Sequence, residues 1–160
     1  MANEIRTANP DPARTVVAAT HADPAEEAGD DDAFESLRLA YQGVGGLALG
    51  DDLARLLEDR DRGDYVSLAR LIASNRVFGF EWQHGFWIPM FQFDLSDLSA
   101  RRGLRQVLGE MSAGIDGWRL AAWFVAPNAR LTQGRPVDLL DTRLADVLRA
   151  ARADRFVVAG

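Results

Sequence analysis

Val77-Phe78-Gly79-Phe80-Glu81-Trp82-Gln83-His84-Gly85-Phe86-Trp87-Ile88-Pro89-Met90-Phe91-Gln92-Phe93 is the stretch where the apolar spacing drops from three or four residues to two. Phe78, Phe80 and Trp82 alternate with Val77, Gly79 and Glu81; Gln83-His84-Gly85 supplies a turn; Trp87, Pro89, Phe91 and Phe93 alternate on the return. Such alternation about a turn predicts a β-hairpin with an aromatic face. A two-stranded hairpin is marginal alone in water, so that face is expected to pack on helices as core. Pro89 cannot donate a ladder hydrogen bond, which predicts an edge strand or pairing on one side only.

On either side of the hairpin the period is helical. Before it, Leu53, Leu56 and Leu57 follow an Asp51-Asp52 start that suits the positive end of a helix, and Arg60-Asp61-Arg62-Gly63 closes it. Asp64 is the expected N-cap of a second helix carrying Tyr65, Leu68, Leu71 and Ile72, with Asn75 suited to a left-handed C-terminal position. The two form a helix-turn-helix-like pair. After the hairpin, Ser99 to Met111 places Leu104, Val107, Leu108 and Met111 on one face, and Gly114 ends that helix. Asp116 caps a helix over Gly117 to Val125 that Pro127 stops. Pro136 opens a short helix with Val137, Leu139 and Leu140. A last helix from Arg143 to Ala153, capped by Thr142, turns Leu144, Val147, Leu148 and Ala151 inward.

The expected fold class is therefore mainly α with one β-hairpin (α+β). It is a small helical bundle in which the helix-turn-helix-like pair and hairpin precede a helical module. Residues 1–48 read as a largely disordered acidic segment, because up to about residue 32 too little apolar surface is present to offset ordering entropy. Within it, Phe34, Leu37, Leu39 and Tyr41 begin a short docked helix that Gly43-Val44-Gly45-Gly46 ends. Residues 49–112 hold the helix pair, hairpin and following helix, and 113–160 the C-terminal module.

Composition narrows the function classes. The 160-residue chain has a net charge of -6, no cysteine, two histidines, and arginine for all 18 basic residues. Thiolate catalysis, disulfides and cysteine-ligated metal are excluded. His21 lies in the acidic tail and His84 in the hairpin turn, far from any carboxylate at ligand spacing. No phosphate-cradling glycine loop is present, and Ser67 and Ser74 lack a histidine partner. The expectation is a non-enzyme with no cofactor and no metal. No apolar run reaches the 18 or so residues a membrane span needs, and no apolar segment follows the N-terminus. These features predict a soluble cytoplasmic protein without membrane contact. Net charge runs from -6 over residues 1–48 through -2 over 49–112 to +2 over 113–160, so no strongly basic face is expected and duplex DNA binding should be weak.

Trp123-Phe124-Val125-Ala126-Pro127-Asn128-Ala129-Arg130-Leu131-Thr132-Gln133-Gly134-Arg135-Pro136-Val137-Asp138-Leu139-Leu140, continued by Val147, Leu148, Ala150, Ala151 and Arg152, resembles the toxin-binding domain of the Xre/MbcA/ParS antitoxin family. The family pattern is an aromatic helix end, Pro-Asn, a leucine before a glycine turn with a basic residue, then Pro, an aliphatic residue, an acid and Leu-Leu. Where relatives often carry Gly-Gly, this chain has Thr132-Gln133 before a single Gly134. Ser67 to Asp94, with Pro89-Met90-Phe91-Gln92-Phe93, is similar to the module upstream in some relatives, though less closely.

The resemblance implies an antitoxin that binds and neutralises a cognate toxin, often a RES-domain enzyme that degrades NAD. It places contact or support at Trp123, Phe124, Pro127, Asn128, Arg130, Arg135, Pro136, Asp138, Leu139 and Leu140. The apolar terminus adds Phe156 and Val157, which either enter the partner or fold back on Val147 and Leu148. Two alternatives stay open. One is a DNA-binding regulator using residues 51–76 through Ser67, Arg70, Ser74 and Arg76; the other is an orphan scaffold relative without a toxin. The oligomeric state is also open.

Overall fold

The hairpin forms where the alternation places it. Strand β2 (Phe80–Trp82) pairs antiparallel with β3 (Gly85–Pro89), with Phe80 opposite Trp87 and Trp82 opposite Gly85. The structure, a computed structural model, describes residues 24–111 and 114–159, with side chains from Gly29 onward. It is mainly helical with a small sheet. Helices α1 (Pro24–Tyr41), α2 (Gly50–Asp59) and α3 (Tyr65–Ala73) precede the hairpin, and α4 (Arg102–Met111), α5 (Gly117–Val125), α6 (Pro136–Leu139) and α7 (Leu144–Ala159) follow it.

The hairpin gains a third strand that the sequence reading did not contain. Strand β1 (Leu47–Leu49) pairs with the far side of β3, Leu47 opposite Pro89 and Leu49 opposite Trp87, giving the order β1-β3-β2. β3 is thus central, yet at Pro89 only β1 lies alongside, because β2 pairs no further than Trp87. The one-sided pairing expected of proline is met there, and the edge alternative is not.

Both faces of the sheet are covered. Phe78, Phe80 and Phe91 face α1 and the C-terminal helices, while Val77, Ile88, Met90 and Phe93 pack with Leu53, Leu57 and Leu68 of α2 and α3. The packing does not follow the expected division at residue 112. α1 and α4 share the larger cluster with α5, α6 and α7, whereas α2 and α3 form the smaller one across the sheet. Phe78, Phe91 and Phe124 stack at centroid distances of 4.9 to 6.3 Å, which joins hairpin to C-terminal helices.

Buried Gln92 holds the sheet's end together. Its amide oxygen accepts from the Phe78 N–H (2.7 Å), and its amide nitrogen donates to the carbonyls of Phe78 (2.7 Å) and Pro89 (2.9 Å). The residue sits in a 3-10 turn, Met90–Gln92, where continued alternation was expected. Turning the backbone there brings the amide to chain ends left unpaired by the short β2.

Other boundaries differ for identifiable reasons. Helix α1 begins at Pro24, so residues 24–32 are helical rather than disordered; the rest of that expectation, residues 1–23, lies outside the described residues. Phe34, Leu37 and Tyr41 anchor its second half, with Phe34 stacked on Trp82 at 3.8 Å, and a helix extends at low cost from an anchored turn. The acids of its first half also suit the positive helix end. The Ser99–Met111 helix starts only at Arg102, after an Asp94–Ala100 loop in which Asp94 and Asp97 each accept from a following serine. The final helix runs past Ala153 to Ala159, making the supposed tail helical. Asp64, Asp116 and Pro136 stand at the helix starts assigned to them, Asp64 in a reciprocal capping box with Ser67.

Candidate functional site

Pro127 ends α5, and the chain turns through a 3-10 turn, Ala129–Leu131, before Pro136 starts α6. The corner is held by its own backbone. Asn128 N–H bonds to Gly134 C=O (3.0 Å), and Asn128 C=O accepts from Leu131 and Gln133 (both 2.9 Å). The Asn128 side chain caps Arg130 N–H at 2.9 Å, while Leu131 is buried. Thr132 (φ 57°) and Gln133 (φ 65°) are both left-handed, the backbone for which glycine is better suited. With non-glycine residues at both positions the chain makes the bend at the cost of local strain, carried on exposed residues.

Asp154 of α7 fastens the corner from outside. Its carboxylate accepts from Trp123 Nε1 (3.0 Å), Asn128 Nδ2 (2.7 Å) and Arg130 Nε (3.2 Å), joining α5, the corner and α7. Sequence reasoning missed it. The available signal was one acid on the C-terminal half of an arginine- and alanine-rich helix, and its partners lie 24 to 31 residues away in sequence. Arg135 fastens the other side, donating to Ala40 C=O (3.1 Å) and, through two nitrogens, to Asp138 (2.7 and 2.9 Å). The bond to Asp138 holds the guanidinium above its ordinary value. Nearby, burial pushes the Tyr41 phenol well up, with its hydroxyl donating to Ala121 C=O at 2.6 Å.

The expected contact residues therefore divide. Trp123, Phe124, Pro136 and Leu140 are buried and Leu139 is half-buried, so these shape the corner instead of offering contact area. Asn128, Arg135 and Asp138 are engaged in the fastening bonds. Pro127, Arg130, Phe156 and Val157 are exposed. The fold-back of Phe156 onto Val147 and Leu148 does not occur, since Phe156 is 73% and Val157 80% exposed. The helical backbone through Ala159 carries both outward, while Val158 and Ala159 pack on the core. Arg119 donates to the carbonyls of Val158 (3.2 Å) and Ala159 (3.3 Å), meeting the negative helix end, and Arg155 lies 4.7 Å over the Phe156 ring.

Of the suggested DNA-reading residues, Ser67, Arg70 and Ser74 lie along one side of α3 and its C-terminal cap, and Arg76 follows beyond it. The Ser67 hydroxyl bonds Asp64 (2.8 Å), and that of Ser74 bonds Leu71 C=O (3.3 Å), so both are engaged within or beside α3. Arg70 is exposed on α3, whereas Arg76 lies in a groove with the start of α4. Exposed Tyr65 and Val66 give the helix an apolar start. A groove of about 690 Å³ between α3 and the hairpin is lined in part by Tyr65, Ile72, Glu81, His84 and Phe86. Among the described residues, no group of three or more histidine or acidic side chains is placed to hold a metal, and no helix is long and apolar enough to cross a membrane. Compared with known proteins, the chain matches no family model, no curated protein and no solved structure.

Proposed function

We propose that this chain is an antitoxin-like protein that binds and neutralises a toxin enzyme of the RES-domain, NAD-degrading class through the α5–α6 corner and the end of α7. The observation that carries the contact surface is the pair Phe156 and Val157, consecutive and exposed on a helix otherwise tied down by Asp154, Arg119 and the Glu110 bond from Arg152, while the toxin class rests on the resemblance of the 123–152 stretch. Two large apolar side chains on a rigid helix end lose little freedom on docking, and burying them contributes about 1.5–3 kcal/mol each before association costs. Exposed Pro127, Arg130, Thr132 and Gln133 on the fastened corner offer a second contact area, with the mixed apolar and arginine character common at binding hot spots. The reading assigns the chain no catalysis and no cofactor, and places it with its toxin in the cytoplasm.

Titration calorimetry against a purified RES-domain enzyme encoded beside this chain tests the proposal. Phe156→Ser with Val157→Ser should weaken binding at least ~10-fold, equivalent to about 1.4 kcal/mol, while thermal melting stays close to the parent. Undiminished affinity in a folded double variant removes the α7 end from the interface.

A further inference from the structure

Away from the corner, a groove of about 370 Å³ runs between Arg76, just after α3, and the first turns of α4, lined by Arg76, Ala100, Arg101, Arg102, Arg105 and Gln106. We propose that this groove binds a small ligand through a diphosphate group. Most arginines of the fold are neutralised locally: Arg38, Arg55, Arg119, Arg130, Arg135, Arg143, Arg149, Arg152 and Arg155 each have a carboxylate within 4 Å. Among the described residues Arg60, Arg62, Arg70, Arg76, Arg102 and Arg105 form no such pair; the first three lie outside this groove, and Arg76, Arg102 and Arg105 line it together. The fourth, Arg101, pairs with Asp141, but its Nε is buried without an acceptor. Like charges gathered in a concavity repel one another, and an anion there both relieves that repulsion and supplies oxygens to guanidinium forks suited to phosphate.

The frame is set in advance. Asn75 takes a left-handed turn (φ 57°), and Arg76 N–H bonds to Leu71 C=O at 2.9 Å, fixing one wall. Arg101 N–H bonds to the backbone carbonyl of buried Gln92 at 2.9 Å, and Ala100 bridges to Phe93, fixing the other. The volume lies at the small end of the ligand-site range, about 300–1,000 Å³. One phosphomonoester carries about −1.5 to −2 charges, which leaves guanidinium charge unmet, and a second linked phosphate matches it better. The lining has no aromatic side chain to stack on a base, so the phosphates are held and the organic portion projects outward. Asp141, paired with Arg101, sets a negative charge beside the groove that disfavours a long nucleic-acid backbone.

Calorimetric titration of the whole protein with inorganic pyrophosphate at low salt tests this, with inorganic phosphate and a 12-nucleotide DNA lacking terminal phosphates, single-stranded and duplex, as separate arms. Saturable one-to-one pyrophosphate binding is expected, at least ~10-fold tighter than orthophosphate. Arg102→Gln with Arg105→Gln, both exposed, should weaken it at least ~10-fold without changing the circular dichroism melt, whereas Arg55→Gln on α2 should leave it unaltered. Absence of saturable pyrophosphate binding at millimolar concentration overturns the proposal. So does equal weakening by Arg55→Gln, or an oligonucleotide that binds the groove more tightly than pyrophosphate.

Discussion

Replacing Asp154 by alanine removes three acceptor contacts at once. The Asp154 side chain is 20% exposed and Trp123 only 7%, so loss of the carboxylate leaves a buried indole N–H unmet, costing about 1–3 kcal/mol. The half-buried Asn128 amide can recruit water in part and loses about 0.5–1.5 kcal/mol. Arg130, with a 60% exposed side chain, adds about 0–1 kcal/mol and belongs at the low end because solvent screens it. The expected total is about 2–4 kcal/mol, a fall in Tm of about 5–10 °C for a chain of this size. Asp154→Asn keeps an acceptor without the charge and should lose roughly half as much. Urea unfolding followed by tryptophan fluorescence and circular dichroism measures both variants. If Asp154→Ala unfolds within about 0.5 kcal/mol of the parent, or its effect simply adds to that of Asn128→Ala, the carboxylate does not fasten the corner.

Gln92→Leu keeps the volume but strands one N–H and two carbonyls at the end of the sheet, so about 3–5 kcal/mol of stability should disappear; a loss under about 1 kcal/mol would show that water replaces the amide. Gly117→Ala drives a Cβ into the Gly79 carbonyl and should destabilise by at least about 3 kcal/mol, whereas Gly109→Ala, in open space on α4, should stabilise by about 0.5–1 kcal/mol; the reverse order in thermal melts refutes the close approach of α5 to the hairpin. Ser67's backbone N–H and hydroxyl hold the Asp64 carboxyl below the usual range, and Arg143 and then Arg149 do the same for Asp146. Depressed folded-state values mean their stabilisation is complete above the ordinary carboxylate range and is lost as pH falls through the depressed values, so unfolding midpoints should drop below about pH 4; Asp146→Asn should flatten that limb, and a parent midpoint constant down to about pH 3 would contradict it.

What the sequence made legible is what is decided within a few residues. Asp64 and Asp116 cap, Pro127 stops and Pro136 starts helices through local sterics and hydrogen bonds, and the aromatic alternation of 78–87 marks the hairpin. What escaped depends on distant partners. Leu47–Leu49 is too short to carry a period and becomes a strand only beside Trp87–Pro89. The acidic first half of α1 depends on Phe34 reaching Trp82, and Asp154 acquires its role only when α7 lies beside Trp123 and Asn128. Phe156 and Val157 were visible as an apolar end, but their side of α7 is set by how Val158 and Ala159 pack. The arginine groove joins Arg76 to residues 101–105 across the hairpin, so charge summed along the chain dilutes it with the acids between.

Cellular NAD, measured in bacteria expressing the RES-domain enzyme encoded beside this chain, tests the antitoxin reading most directly. Co-expression of the parent chain should hold NAD near its uninduced level, and the folded Phe156→Ser, Val157→Ser variant should not. NAD that falls equally with and without the parent chain, or the lack of any such neighbouring gene, contradicts it.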